Sequence, residues 1–64
     1  MDSRTIIKLL KADGWSQAGQ TGSHVQFTHP TKPGRVTVPH PRKDFPIKTL
    51  ISMEKQSGLK FRGG

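Results

Sequence analysis

The sequence predicts an α+β fold: a helix, three short antiparallel strands and a second helix, with both helices on one face of the sheet. Three observations predict it. Apolar residues recur at helical spacing near both ends of the chain, in TIIKLLKADG and PIKTLISM. The middle alternates apolar and polar residues, in HVQFT and RVTVP. Glycine and proline punctuate the segments between them, and the short connections favour a meander over crossovers.

The first helix is expected from about Ser3 to Asp13. Asp2 or Ser3 supplies a short side-chain oxygen for the unpaired amides of its first turn. Ile6, Ile7, Leu9 and Leu10 form its apolar stripe, and Gly14 stands where a left-handed ending residue is wanted. A first strand, WSQAGQ, starts at Trp15, which brings its largest apolar contact. The second, SHVQFTH, follows after TG, and the loop PTKPG leads to the third, RVTVP. The second helix lies within FPIKTLISMEKQSG. Asp44 is its expected cap, with a proline tolerated in the first turn. Ile47, Leu50 and Ile51 form its stripe, Gly58 ends it, and Leu59 and Phe61 add apolar contacts beyond that end. The last residues, RGG, are expected to fray.

Strand parity then sorts the sheet. Val25, Phe27, Val36 and Val38 point toward the helices. His24, Gln26, Thr28, Arg35 and Thr37 point the other way, onto a polar face with no third layer to cover it.

With 64 residues the chain is expected to be one domain, 1–64. A domain of this size buries only about 60% of the surface its unfolded chain exposes. The absence of cysteine excludes disulfides, thiolate nucleophiles and Cys-based zinc sites, and fits a reducing, cytoplasmic setting. No run approaches the ~20 apolar residues of a membrane span, and MDSRTIIKLL lacks the uninterrupted apolar region of a signal peptide. Eleven Lys and Arg against four Asp and Glu give a formal charge of +7, which favours a polyanionic partner: RNA, DNA, anionic lipid or an acidic protein. A soluble basic domain without such a partner is the plainer reading.

His24 is the candidate catalytic residue. A histidine titrating near its ordinary value of about 6.5 has both protonation states within reach at working pH. Gly22 lets a substrate backbone approach, and Ser23 can donate to a phosphate oxygen. RNA carries its own nucleophile, the ribose 2′-hydroxyl. Removing its proton and stabilising the phosphorane needs a base and nearby positive charge. Arg35, on the same face, and Lys32, in the adjoining loop, are candidates for that charge. The competing reading makes His24 an ordinary polar strand residue. His29 and His40 each precede a proline, so turn-forming roles suit them. A metal site would need them to converge with His24 and an acidic ligand, and parity opposes this. No cofactor or metal is expected. His40 could still flank the active face as a second acid or a phosphate donor. Arg42 and Lys43 stand just before the second helix, where cations and a helix N-terminus suit an anion; a solvated loop is the alternative.

Together these residues resemble the HicA family of toxins, small endoribonucleases of type II toxin–antitoxin pairs. The matching stretches are IKLLKADGW, GQTGSHVQFTHPTKPGRVTVPHPRKD and PIKTLISMEKQSGL, in the right order over nearly the whole chain. Glycine–serine–histidine followed by the HP turn and VTVPHP is the specific part. The resemblance implies a double-stranded-RNA-binding-domain-like fold and metal-independent cleavage of mRNA. It also implies that the histidine after glycine–serine, here His24, is catalytic, and that a HicB antitoxin covers and inhibits it. The bare sheet under His24 favours an unstacked strand over a duplex as substrate. The second acid or base is left open between His40, Lys32 and water. A non-catalytic RNA-binding module of the same fold is the alternative function.

Overall fold

A computed structural model describes residues 1–61; the frayed end expected at 62–64 lies outside the described residues. Helix α1 runs Ser3–Ala12, strands β1, β2 and β3 run Ser16–Thr21, His24–Thr28 and Val36–Pro39, and helix α2 runs Ile47–Ser57. The strands form one antiparallel sheet in the order β1-β2-β3. The α+β architecture read from the sequence is therefore the observed one.

Asp2, not Ser3, caps α1. Its carboxylate accepts from the Thr5 amide at 2.9 Å and the Thr5 hydroxyl at 2.6 Å. These two bonds, the hydroxyl's first, hold the Asp2 carboxyl below the usual carboxylate range. Ser3 is buried instead. Gly14 ends the helix as expected, with φ of 103°, and a Cβ there would lie 2.9 Å from His29 Nε2. The position thus requires glycine twice over, for its backbone and for the space. Trp15 precedes β1 rather than starting it. Its buried ring is anchored by an indole N–H bond to Asp13 Oδ2 at 3.2 Å.

The core is Ile6, Leu10, Trp15, Val25, Phe27, Val36, Val38, Phe45, Met53 and Phe61. Both helices pack on β3. Strand β1 has no buried residue and carries a bulge between Gln17 and Gly19, so it is an edge strand outside the helical cover. Burying each core side chain contributes about 1.5–3 kcal/mol. In so small a domain the loss of one is a sizeable part of the total.

Helix α2 corrects two expectations. It begins at Ile47 after Pro46, with no side-chain cap. Asp44 lies too far upstream to reach its first amides. Its carboxylate instead accepts from the Phe45 N–H at 2.9 Å and pairs with the terminal amine of Met1 at 3.4 Å. The buried stripe is also rotated. Met53 and Ser57 are buried with Leu50 packed beside them, a spacing of three and four, while Ile47 is 56% exposed in the first turn. The end is as expected: Gly58 is left-handed, with φ of 75°, and donates to the Glu54 carbonyl at 2.8 Å. Leu59 packs against the core, and Phe61 is part of it.

Candidate functional site

His24 owes its position to a tight hairpin. Thr21 of β1 pairs with His24 of β2, leaving only Gly22 and Ser23 to make the turn. Gly22 takes φ of 57°, and Gln20 Nε2 donates to its carbonyl at 3.0 Å. Glycine at the first position of a two-residue hairpin loop suits the twist of the strands. The next residue is then delivered onto the sheet. Val25 and Phe27 are buried beneath the helices, so the alternate residues His24, Gln26 and Thr28 fall on the opposite face. His24 is exposed there, in the central strand, with Pro39 of β3 as its other cross-strand neighbour. No Cβ at Gly22 would meet another atom within 4 Å, so space lies open beside the turn.

Arg35 stands on the same side. Its guanidinium Nη1 donates to Gln26 Oε1 at 2.8 Å. Gln26 is two residues from His24 along β2, about 7 Å at the usual rise of a strand. The pair sets a cation on the open face that also carries the imidazole. Gln26 was legible as a neighbour on this face, but its partnership with Arg35 depends on the β2–β3 register, in which Gln26 faces Thr37.

Lys32 is not brought to His24. It lies past the far end of β2, where its Nζ bonds the Asp13 carboxylate and donates to the Ser57 carbonyl at 3.2 Å. It clamps the C-terminal ends of α1 and α2 together. The hydrogen bond from Lys32 is the largest of the causes holding the Asp13 carboxyl below its usual range. The loop position suggested a phosphate role beside His24, whereas the ammonium is bonded to Asp13 and Ser57 at the opposite end of the strand.

His29 also has a structural post at that end. Its Nδ1 accepts from the Thr31 and Lys32 amides, each at 3.1 Å, and its Nε2 lies 2.7 Å from the Asp13 carbonyl. Amides only donate, so Nδ1 is the bare nitrogen and Nε2 carries the proton it gives to that carbonyl. The ring meets Trp15 edge-on, 5.2 Å between centroids. The three histidines occupy three separate places, and among the described residues no three His, Asp or Glu side chains converge as metal ligands.

His40, Arg42 and Lys43 correct a further expectation. They gather at the start of α1, not α2. The cause is a backbone clasp: Ser3 N–H donates to the Arg42 carbonyl at 2.9 Å, and Arg42 N–H donates to Ser3 Oγ at 3.0 Å. His40 Nδ1 lies 2.6 Å from the same Oγ. These residues line a concavity of about 370 Å³ with Asp2, Arg4 and Pro41. The Arg42 guanidinium rests 5.7 Å above the Phe45 ring. Arg4 had no sequence signal for this place, which exists only because residues 40–43 fold back on the first helix. The His40 ring is turned to the helix side, so it does not share the open face with His24. The two are nonetheless close along the chain path, since His40 N–H donates to the Ser23 carbonyl at 2.7 Å.

Among the described residues no helix is long and apolar enough to cross a membrane.

Comparison with known proteins follows the same outline. A family model described as the HicA toxin of bacterial toxin-antitoxin matches residues 3–59. Among solved structures, a chain of a HicA3 and HicB3 toxin-antitoxin complex is similar with a TM-score of 0.81 and 35% sequence identity, covering 95% of this chain and 98% of that one. No curated protein matches the sequence.

Proposed function

The chain belongs to the HicA toxin family, and from that premise we propose that it is a metal-independent endoribonuclease that cuts mRNA with His24 as its general base. The observation that carries this reading is an exposed imidazole on the uncovered sheet face, beside an open glycine turn and a guanidinium held on the same side.

In this reading a single-stranded segment crosses the open face near Gly22. Neutral His24 takes the proton of a ribose 2′-hydroxyl. The 2′-oxygen attacks the adjacent phosphorus, the bond from phosphorus to the 5′-oxygen breaks, and that oxygen leaves with a proton from water. The products are a 2′,3′-cyclic phosphate and a 5′-hydroxyl. Arg35 and the Ser23 hydroxyl offset the charge that grows on the phosphate oxygens. Gln26 keeps the Arg35 guanidinium in place for that task. Lys32 has no part in it, and its clamp at the other end of β2 leaves water as the simplest source of the second proton.

The solved HicA3–HicB3 complex supports a HicB-type antitoxin as the natural partner. Such a partner covers the His24 face and, being acidic, associates quickly with a chain of charge +7. A cytoplasmic location accords with an mRNA substrate.

Replacing ribose by 2′-deoxyribose throughout a sensitive RNA tests the chemistry. Cleavage should vanish with the deoxy strand and persist for RNA in excess chelator. Cutting of the deoxy strand would mean that water or a metal-bound nucleophile attacks, and the assignment of His24 as a base for the 2′-hydroxyl would fall. Persistent binding of intact RNA would instead favour the non-catalytic module.

A further inference from the structure

We propose that the concavity at the start of α1 is a second anion site, which takes a phosphate of the single-stranded RNA on the helix side of the sheet, next to the cut. The proposal rests on the reading of this chain as an RNA-acting toxin.

Hydrogen bonding fixes the chemistry of His40. Ser3 is 1% exposed, so its hydroxyl proton needs a partner within the protein. Its oxygen already accepts from the Arg42 N–H. The acceptor within reach of the proton is His40 Nδ1, at 2.6 Å. Nδ1 is then bare, and the ring proton sits on Nε2. A buried serine thus turns His40 into an oriented N–H donor at the wall of the concavity. Among the described residues Nε2 has no hydrogen-bond partner, so that donor is free for a ligand.

The remaining lining supplies charge. Arg4, Arg42 and Lys43 are all exposed and all border the same space. Two guanidiniums and an ammonium around one N–H donor suit the several oxygens of a phosphate. Asp2 also lines the space with one negative charge, its Oδ1 turned to the amide and hydroxyl of Thr5, and the three cations outnumber it. Nor is the site a bare helix end. The Ser3, Thr5 and Ile6 amides are taken by the Arg42 carbonyl, the Asp2 carboxylate and the Asp2 carbonyl. Side chains, not helix amides, would hold the anion.

Position favours RNA over an acidic protein segment. Pro39 is the cross-strand partner of His24, and His40 is the next residue. Its N–H grips the Ser23 carbonyl. A strand laid over His24 and continued around this end of the sheet would meet the concavity, which His40 lines directly after that cross-strand partner. The site would fix the register of the substrate by its backbone, without reading a base.

The test measures binding of a short single-stranded RNA that is fully 2′-O-methylated. That probe has no free 2′-hydroxyl, so the outcome does not depend on whether His24 cleaves RNA. Arg4→Gln, Arg42→Gln and Lys43→Gln are combined in one variant. A charge-matched control combines Lys8→Gln, Lys11→Gln and Lys55→Gln, exposed residues elsewhere. Circular dichroism confirms that both remain folded. The pocket variant should bind at least tenfold more weakly than the control. Its salt slope should also be shallower by about 0.7 for each phosphate that the variant no longer neutralises. In the wild type, the nitrogen NMR signals of His40 should report the Nε2–H form and move as the probe is added. Equal weakening in the two variants, or unmoved His40 signals, would overturn the proposal. Unchanged RNA binding with weakened binding of an acidic antitoxin would also overturn it, and would assign the concavity to the partner.

Discussion

Three histidines in this chain meet three fates, and local geometry decides each one. His24 projects from the first position of a central strand into solvent, its ring hydrogen-bonded to nothing among the described residues. His29 has both ring nitrogens engaged, by two amides and one carbonyl, with its edge on Trp15. His40 is tethered by a buried serine. The consequence for stability is separable. His29→Ala leaves the Thr31 and Lys32 amides and the Asp13 carbonyl without their partner, and should cost about 1–3 kcal/mol. His24→Ala should change stability by no more than about 0.5 kcal/mol. Urea unfolding of both variants measures the difference, and equal losses would contradict the structural role given to His29. The place of His24 was legible because strand alternation depends only on neighbours two residues apart. The turn-forming part of His29 was legible from the proline after it, and its Nδ1 does hold the Thr31 and Lys32 amides. Its contacts with Asp13 and Trp15 were not, because those residues lie 16 and 14 positions away and meet it only in the folded chain.

At the scale of elements, the two helices are joined end to end by Lys32, which spans from Asp13 after α1 to the last residue of α2. Nothing in the loop PTKPG announces that clamp, because an ammonium in a loop looks the same whether solvated or paired. The helix register shows the same limit. Apolar spacing located α2, yet its apolar residues allow more than one facing, and the sheet chose Met53 and Ser57 over Ile47. The clamp has a pH signature. Asp13 is held below the ordinary carboxylate range in the folded state, so the unfolded chain binds its proton first as pH falls. The stability from this group is complete above the unfolded value of about 3.9 and is lost as the pH falls through the lower, folded value. Lys32→Met should therefore lower Tm at neutral pH and make the fall of Tm below about pH 4 shallower. Asp2 and Asp44, also held low by their own bonds, continue to contribute in both proteins. Parallel curves of Tm against pH for the wild type and Lys32→Met would contradict the clamp.

For the whole molecule, a small core and a charge of +7 are two sides of one design. A sheet covered on one face by two helices leaves the other face bare, and that face is where the candidate chemistry sits. An antitoxin that binds only the folded chain would add stability by mass action, about 2.7 kcal/mol when its free concentration is a hundred times Kd. The fold could be read from four periodic segments and their short connections. The open-face residues could be read from parity, whereas the pocket of His40, Arg42 and Lys43 required the return of residues 40–43 onto α1. The central claim is that an unburied imidazole at position 24 removes the proton that starts RNA cleavage. Incubation of RNA with antitoxin-free wild type and with folded His24→Ala, resolved on a denaturing gel, tests it most directly. Fragments ending in 2′,3′-cyclic phosphate from the wild type alone are the predicted result. Fragments from the alanine variant at an undiminished rate would contradict it.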